Sequence, residues 1–199
     1  YAGGLNHPSI FSLFKDKQGN IWAGSYFGGV NYFNPTRNGM LHYDYQVKES
    51  SSLYYSYIGE MIIDKRDNLW ISTDGGGISC IDHDWRIIEQ FTANPLSHYG
   101  LPHNNVKSLC YDVDNDVLYI GTHLGGLSRY DIKKKAFYNY LTDYNSSTMP
   151  GKIIHHVKKW KNKIVVSSRE GVFLLDTQLN RFTPVSYTHL RAHETDSYL

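Results

Sequence analysis

The chain has 199 residues, 20 Lys and Arg against 19 Asp and Glu, and an aromatic content of 15% with 17 Tyr. This balanced charge argues against contact with nucleic acid and against a polybasic attachment to an anionic membrane. No apolar run approaches the roughly 20 residues of a membrane-spanning helix, and no amino-terminal signal peptide is present. The aromatic content favours β-strands.

Four short β-rich runs separated by turn residues make up the first part of the chain. The predicted strands are residues 10–15, 21–25, 29–34 and 41–46. The turn at 16–20 contains Asp and Asn, whose side chains bond their own backbone, and Gly19, which supplies a positive φ. Pro35 ends the third strand because it has no N–H to donate. The fourth strand is more polar, as an outer edge should be.

The same pattern recurs three more times along the chain. The predicted strands are 58–63, 69–73, 77–81 and 87–92 in the second unit, 106–111, 118–122, 126–130 and 136–141 in the third, and 154–158, 164–168, 172–175 and 181–185 in the fourth. Several strands per unit with no helical pattern indicate blades of a β-propeller.

Three apolar columns repeat with a period of 48 residues, and we use the word slot for a position that recurs in this way. The columns are Leu5, Leu53, Leu101 and Met149; Ile10, Ile58, Val106 and Ile154; and Leu13, Met61, Leu109 and Val157. A fixed period of this size marks a repeat architecture. The predicted fold class is therefore all-β, with four four-stranded antiparallel blades that form an arc of a larger propeller.

The repeat also sets the expected domain boundaries. They are a lead-in at 1–9, blade 1 at 10–52, blade 2 at 53–100, blade 3 at 101–148, an incomplete blade 4 at 149–185, and a tail at 186–199. Because Leu5 already occupies a repeated slot, Tyr1 is expected to be a cut end. The tail breaks the pattern and matches nothing upstream; it resembles a translated sequencing adapter or cloning scar and is excluded from fold reasoning.

Two further sets of residues are predicted to be structural. Trp22, Trp70 and Tyr119 share one slot in the second strands, where packing between blades is expected. Cys80 and Cys110 lie in strands of successive units and are expected to be buried thiols, since free Cys behaves as a small apolar residue. A disulfide between blades is the alternative, because spacing alone does not exclude one.

Fragments that suggest metal or catalytic chemistry are incomplete. Asp112–Asp116 resembles the start of a calcium loop, but Val117 and His123 stand where such a loop needs Gly and Glu. His155 and His156 are adjacent on a strand and point to opposite faces. No Ser or Cys nucleophile has a recognisable local signature. No metal, no cofactor and no catalysis by this chain are expected; a propeller-fold glycan hydrolase or lyase and a protein-interaction scaffold are the alternatives.

The segments 16–30, 64–78 and 112–127 resemble the two-component regulator propeller repeat, with the pattern Asp-x-x-Gly-x-Leu/Ile-Trp-Ile-Gly-Thr-x-x-Gly-Gly-Leu. The third copy has Tyr119 for Trp and one inserted residue, and the fourth lacks the Trp, one Gly and the Asp. The resemblance implies paired propellers in the periplasmic sensor region of membrane-anchored hybrid histidine kinases, which detect oligosaccharides.

By the same resemblance, the expected partners are an oligosaccharide, the remaining blades and second propeller of the same protein, and a second copy in a homodimer. The expected location is the periplasmic region of an inner-membrane protein. The kinase would lie outside this chain.

The predicted ligand face is formed by two kinds of loop. In this strand order, the loop that enters each first strand and the loop between the second and third strands emerge together. Four residues after the Trp slot, one position diversifies while the framework around it repeats. The residues at this position are Tyr26, Asp74, His123 and Arg169, and they are joined by Phe27 beside Tyr26 and by Tyr54, Tyr55, His103 and Asn104 in the entering loops.

Aromatic rings beside hydroxyls and amides suit a neutral oligosaccharide, and binding sites tend to lie on loops held by a rigid scaffold. The alternative is that these are ordinary solvated loop positions that are free to vary.

Overall fold

The computed structural model describes residues 4–36, 40–43, 53–84, 86–94, 99–140 and 151–185. These residues form four antiparallel sheets of four strands each. Within these ranges there is no helix, and so none that is long and apolar enough to cross a membrane. The chain is a partial β-propeller, which confirms the fold class predicted from the 48-residue period.

Each sheet takes its strands in chain order, so that every blade is a simple meander. The strands are β1 (Ile10–Lys15), β2 (Ile21–Ser25), β3 (Val30–Phe33), β4 (Met40–Tyr43), β5 (Ile58–Ile63), β6 (Leu69–Thr73), β7 (Gly77–Ile81), β8 (Ile87–Phe91), β9 (Val106–Asp112), β10 (Val117–Thr122), β11 (Gly126–Asp131), β12 (Ala136–Tyr140), β13 (Ile154–Trp160), β14 (Lys163–Ser168), β15 (Gly171–Asp176) and β16 (Arg181–Pro184).

The strand bounds agree with the sequence pattern to within two residues wherever the chain is described. The largest differences are in the fourth blade, where β13 runs on to Trp160. The predicted strand ends at 44–46 and at 141, the column member Met149 and the tail at 186–199 lie outside the described residues.

The first strands of the four blades lie side by side at the centre of the arc: β1 contacts β5, β5 contacts β9, and β9 contacts β13. Glycine in the second strand permits this approach in two of the blades. A Cβ on Gly24 would meet the Ile58 Cγ2 atom at 2.6 Å, and one on Gly121 would meet the Ile154 Cγ2 atom at 2.5 Å. The isoleucine of one blade therefore packs directly on the backbone of the blade before it.

Three hydrophobic cores fill the spaces between the blades, and each contains one member of the aromatic slot. Trp22 packs between blades 1 and 2 with Ile58 and Met61. Trp70 packs between blades 2 and 3 with Val106 and Leu109. Tyr119 packs between blades 3 and 4 with Ile154 and Val157. All three aromatic side chains are buried, which confirms the packing role predicted for this slot.

The aspartate of the repeat accepts a hydrogen bond from the indole N–H of the tryptophan. The Trp22 Nε1 donates to Asp16 Oδ2 at 3.0 Å, and the Trp70 Nε1 donates to Asp64 Oδ2 at 3.1 Å. In blade 3, where Tyr replaces Trp, the aspartate at this position is Asp112, which accepts instead from the Nζ of Lys159 in the next blade. A buried carboxylate is therefore satisfied in each case, as a buried charge requires.

Ion pairs join the hairpin turns of neighbouring blades at the end opposite the predicted ligand face. Arg66 in the blade 2 turn donates through both Nη atoms to Asp116 in the blade 3 turn, at 3.0 Å for the Nη1 to Oδ1 pair. Tyr111 Oη donates to the same carboxylate at 2.9 Å, and Lys65 lies 3.2 Å away. The Arg66 guanidinium is the main reason that the pKa of Asp116 lies far below its usual value.

The first blade presents apolar residues to solvent. Leu13 is 72% exposed and Leu5 is 49% exposed, whereas Leu53, Leu101, Met61 and Leu109 in the same two columns are buried. Leu5 and Leu13 are exposed because no sheet among the described residues packs against this face of blade 1.

Both cysteines are free and buried. Cys80 lies in the core between blades 2 and 3, whereas Cys110 lies in the core between blades 3 and 4. Burial raises the pKa of both thiols, that of Cys110 to about 11. The buried-thiol interpretation is therefore confirmed, and the two residues form no disulfide between blades.

The aromatic slot gives a stability prediction. Replacing Trp70 by Ala should lower the free energy of unfolding by about 3–5 kcal/mol, because a large aromatic side chain is deleted from a closed core. Trp160→Ala is the matched control, since Trp160 is 44% exposed and its loss should cost far less. Urea denaturation measures both, and a loss below about 1 kcal/mol for Trp70→Ala would contradict the packing role.

The Arg66–Asp116 pair gives a prediction about pH. A carboxylate whose folded pKa is depressed adds stability above its unfolded pKa of about 3.9, and this stability is lost as the pH falls towards the folded pKa. Asp116→Asn should therefore lower the free energy of unfolding at pH 7, and its deficit should shrink by about 1 kcal/mol at pH 3. Asp84→Asn, in a half-exposed turn, is the control. An Asp116→Asn deficit of equal size at both pH values would contradict the prediction.

Candidate ligand-binding face

The two kinds of loop predicted to form the ligand face are hydrogen-bonded to each other in every blade. The backbone N–H of the variable residue donates to a carbonyl at or just before the first strand: Tyr26 to Ser9 at 3.0 Å, Asp74 to Tyr57 at 3.0 Å, His123 to Asn105 at 2.9 Å, and Arg169 to Ile153 at 3.1 Å. All four variable residues therefore emerge at one end of the blades. We call this end the loop face.

The loops of neighbouring blades are also joined. Gly29 N–H donates to Ser56 of blade 2 at 3.0 Å, and Gly126 N–H donates to Lys152 of blade 4 at 2.9 Å. Asn104 of blade 3 accepts from Gly77 at 2.9 Å through its backbone carbonyl. Its side-chain oxygen accepts from the Ala93 N–H at 2.6 Å, so Asn104 holds the loops together through both of these groups. The loop face is thus continuous across the four blades.

A buried hydroxyl fixes the shape of each variable loop. The residue before the variable position is Ser or Thr, and its hydroxyl donates to the carbonyl four residues on, or three in blade 4, where the loop is one residue shorter. The pairs are Ser25 with Gly29 at 3.0 Å, Thr73 with Gly77 at 3.1 Å, Thr122 with Gly126 at 2.9 Å, and Ser168 with Gly171 at 3.2 Å. In three loops, the same hydroxyl also accepts a backbone N–H from within the loop. The side chain at the variable position takes no part in this frame.

Aromatic residues from blades 1 and 2 meet on the loop face. The Tyr26 ring lies 4.3 Å from the rings of Phe27 and Tyr57 and is stacked on Phe11 at 5.3 Å with an interplanar angle of 24°. Phe11 is 58% exposed and Phe27 is 55% exposed. We call these four residues the aromatic cluster. It offers exposed ring surface together with two phenolic hydroxyls.

Charged and imidazole groups meet at the boundary of blades 2 and 3. Lys107 Nζ lies 2.6 Å from Asp74 Oδ2. The ring centroids of His103 and His123 are 6.4 Å apart. Burial lowers the pKa of His103, and the nearby His123 lowers it further. The structure therefore brings Asp74, His103 and His123 to neighbouring positions, as the ligand-face prediction requires, and adds Lys107, which that prediction had not included.

The other predicted residues lie further apart. Tyr54 and Tyr55 are exposed in the loop that enters blade 2. The Tyr55 ring covers Gly75, where an added Cβ would meet it at 3.3 Å. Arg169 is exposed at the corresponding position of blade 4. Whether any of these residues contacts a ligand stays a prediction.

A second diversifying slot was missed from the sequence. Phe11, Gly59, Lys107 and His155 follow the apolar column of Ile10 at the same 48-residue spacing. The four residues line a cavity of about 310 Å³ near the centre of the arc, together with Tyr57 and Asp74. The signal was available, because this position varies in size and charge beside a column that stays apolar.

Comparison with protein families gives one match. The model of the two component regulator propeller matches residues 4–27, which contain β1 and most of the first repeated motif. This segment is therefore similar to the two component regulator propeller repeat. For the first copy of the motif, the match confirms the resemblance drawn from the sequence.

Solved structures share the fold. The extracellular domain assigned to a hybrid two-component system of B. thetaiotaomicron has a TM-score of 0.80 and 20% identity over 92% of this chain and 25% of that chain. An extracellular domain from the same organism, assigned to a one-component system, has a TM-score of 0.73 and 23% identity over 89% of this chain and 25% of that chain. This chain thus spans about a quarter of the length of these proteins. No curated protein sequence matches it.

The same fold also occurs in an enzyme. Virginiamycin B lyase from Staphylococcus aureus has a TM-score of 0.64 and 13% identity, over 92% of this chain and 59% of the lyase. The likeness shows the propeller fold alone, because fold by itself does not fix function.

The hydroxyl frame gives a prediction for the loop face. Thr73→Val keeps the side-chain shape but removes the donor to Gly77 and the acceptor for Gly76, so two buried backbone groups lose a partner. The free energy of unfolding should fall by about 1–3 kcal/mol. Thr183→Val on the exposed surface of β16 is the control, expected within about 0.5 kcal/mol of the parent. Equal effects of the two substitutions in urea denaturation would show that the hydroxyl does not stabilise the loop.

Proposed function

We propose that this chain is part of the sensor propeller of a hybrid two-component system, that its loop face recognises an oligosaccharide, and that binding is signalled to a kinase outside this chain. The observation that carries the proposal is the aromatic cluster. Phe11 and Phe27 expose more than half of their surface beside the half-buried Tyr26 and Tyr57, on loops held by a repeated backbone frame.

The chemistry of the aromatic cluster supports a sugar ligand. A pyranose ring has apolar C–H faces that pack on aromatic rings, and its hydroxyls need polar partners at the edges of the same surface. The loop face supplies both kinds of contact. The phenols of Tyr26 and Tyr57 belong to the aromatic cluster, and Asp74 lines a cavity with Phe11 and Tyr57. The imidazoles of His103 and His123 lie on the same face at blade 3.

The loop connections support a role in signalling. A ligand that contacts the variable residues of two blades touches loops that are hydrogen-bonded to each other across the blade boundary. Because packed cores and fixed frames do not deform continuously, the ligand would favour one arrangement of neighbouring blades over another. A ligand that binds one of two conformations more tightly shifts the equilibrium towards that conformation.

The proposal includes a location and partners. The sensor region would lie in the periplasm, as part of an inner-membrane protein whose kinase lies on the other side. Its protein partners would be the remaining blades, a second propeller of the same chain, and a second copy in a homodimer. The exposed Leu5 and Leu13 support the presence of a neighbouring blade, since apolar columns are covered wherever a sheet packs on them.

Isothermal titration calorimetry on the full-length protein that contains these residues tests the proposal. The probes are neutral tetrasaccharides of glucose, xylose, mannose and galactose, and an acidic tetrasaccharide of galacturonate. Binding of at least one of them is expected, with no change in the saccharide on prolonged incubation. Binding of none would contradict the oligosaccharide proposal, and cleavage of the bound saccharide would favour the hydrolase or lyase.

Variants then locate the site. Tyr26→Ala should weaken binding about 3-fold to 10-fold, the usual worth of one aromatic contact. Asp74→Ala, His123→Ala and Arg169→Ala test the other members of the variable slot. Trp160→Ala is the control, because Trp160 is an exposed aromatic residue beside the β13 to β14 hairpin at the opposite end of blade 4. Unchanged affinity in all four slot variants, with folding intact, would remove the loop face from consideration.

A further inference from the structure

Every first strand of the four blades carries a β-bulge near its start. The pairing of β1 with β2 passes from Ile10 to Ser12, that of β9 with β10 from Val106 to Ser108, and that of β13 with β14 from Ile154 to His156. In blade 2 the pairing passes from Ile58 to Met61. The residues skipped by the ladder include Phe11, Gly59, Lys107 and His155. Bulges re-aim side chains and are frequent next to binding sites.

These four residues converge on one cavity. With Tyr57 and Asp74 they line the space of about 310 Å³ near the centre of the arc, at the loop-face end of the first strands. We call this space the central cavity. Small-molecule pockets start at about 300 Å³, so its size suits a single small group. Gly59 contributes no side chain, and its lack of a Cβ reflects close packing, since a Cβ there would meet Ser72 Oγ at 2.7 Å and the Val106 carbonyl oxygen at 3.0 Å.

The polar groups of the cavity include one carboxylate beside one ammonium group. Asp74 Oδ2 is paired with Lys107 Nζ at 2.6 Å. Asp74 Oδ1 is buried and has no hydrogen-bond partner in the described structure. Oδ1 is sealed from the cavity, whereas the Asp74 side chain as a whole is 21% exposed, so the carboxylate meets the cavity through its other oxygen. Lys107 has three donors, and its pairing with Asp74 uses one of them.

We propose that the central cavity binds the terminal residue of a neutral saccharide through two adjacent hydroxyl groups. The accessible part of the Asp74 carboxylate accepts a hydrogen bond from one hydroxyl, and Lys107 Nζ donates to the oxygen of its neighbour. Phe11 and Tyr57 lie against the apolar face of the sugar. This inference rests on the oligosaccharide-sensing function proposed above and assigns the position and chemistry of its binding site.

The charge of the cavity favours a neutral sugar over an acidic one. Lys107 is already neutralised by Asp74 at 2.6 Å, and a carboxylate or sulfate placed between the two would lie within a few ångströms of the Asp74 oxygens. Like charges at that separation repel. A hydroxyl pair brings no charge of its own, because one hydroxyl donates to the Asp74 carboxylate and the other accepts from Lys107.

Two variants of the full-length protein test the contacts by calorimetry with the best-binding tetrasaccharide of the panel. Asp74→Asn replaces the charged acceptor at nearly constant shape, and Lys107→Met removes the donor. Each should weaken binding about 10-fold to 100-fold, the loss of a hydrogen bond to a charged group. Asp84→Asn and Lys161→Met carry the same changes at exposed turns at the opposite end of the blades and should leave affinity unchanged. Thermal denaturation confirms that all four variants fold.

A deoxygenated ligand separates direct contact from an indirect effect. Versions of the same tetrasaccharide that lack one hydroxyl of the non-reducing terminal residue should bind the parent protein about 10-fold more weakly at two adjacent positions. For the analogue that lacks the sugar hydroxyl proposed to contact Asp74, Asp74→Asn should cause no further loss of affinity. This pattern would establish the contact, whereas fully additive losses would overturn it.

The remaining outcomes separate the two proposals. A neutral tetrasaccharide that binds equally well to the parent, Asp74→Asn and Lys107→Met, but weakly to Phe27→Ala, would overturn the central cavity and leave oligosaccharide sensing intact. Binding of the galacturonate tetrasaccharide alone would overturn the neutral-sugar assignment and keep the sensor. Binding of no probe would overturn both proposals.

Discussion

Packing of the aromatic slot of one blade against the first strand of the next is the interaction on which the rest of the structure depends. Trp22, Trp70 and Tyr119 each fill the space between two sheets, where isoleucine or valine from the following blade covers them. A four-stranded meander has two faces and cannot bury both by itself. Burial of aromatic surface between sheets, worth about 25 cal/mol per Å² of apolar area, therefore stabilises blades only as neighbours. The polar ends of the blades follow from this arrangement, because both sheet faces are committed to packing.

The two ends of the blades use this arrangement differently. At the turn end, carboxylates of the repeat accept from tryptophan, arginine or lysine, often from the neighbouring blade. Each of these carboxylates already has a hydrogen-bond donor as its partner. At the loop end, the backbone makes the connections and the side chains of the variable slot are left available. The contrast explains why the exposed rings of Phe11 and Phe27 at the loop end take no part in holding neighbouring blades together.

Much of this architecture could be predicted from the sequence because a 48-residue period carries the information four times. Strand number, strand order and the burial of Trp70 all follow from columns that recur in register. The exposure of Leu13 could not be predicted in this way, since burial depends on whether another sheet is present and not on the residue itself. The central cavity was missed for a different reason. A β-bulge turns a residue out of the alternating pattern of a strand, so the alternation within one strand does not show which residue leaves the ladder. Comparison of the four copies marks the position, because Phe11, Gly59, Lys107 and His155 differ there.

The separation of loop shape from loop identity has a practical consequence. Since a Ser or Thr hydroxyl and the backbone set the path of each variable loop, the single residue at the variable position is exchangeable between blades. Tyr26 and Asp74 hold this position on adjacent sheets, so exchanging these two side chains would move an aromatic or acidic group by one blade without rebuilding the scaffold. A library of such exchanges could re-tune recognition while the inter-blade cores, and with them the folding of the molecule, stay as they are.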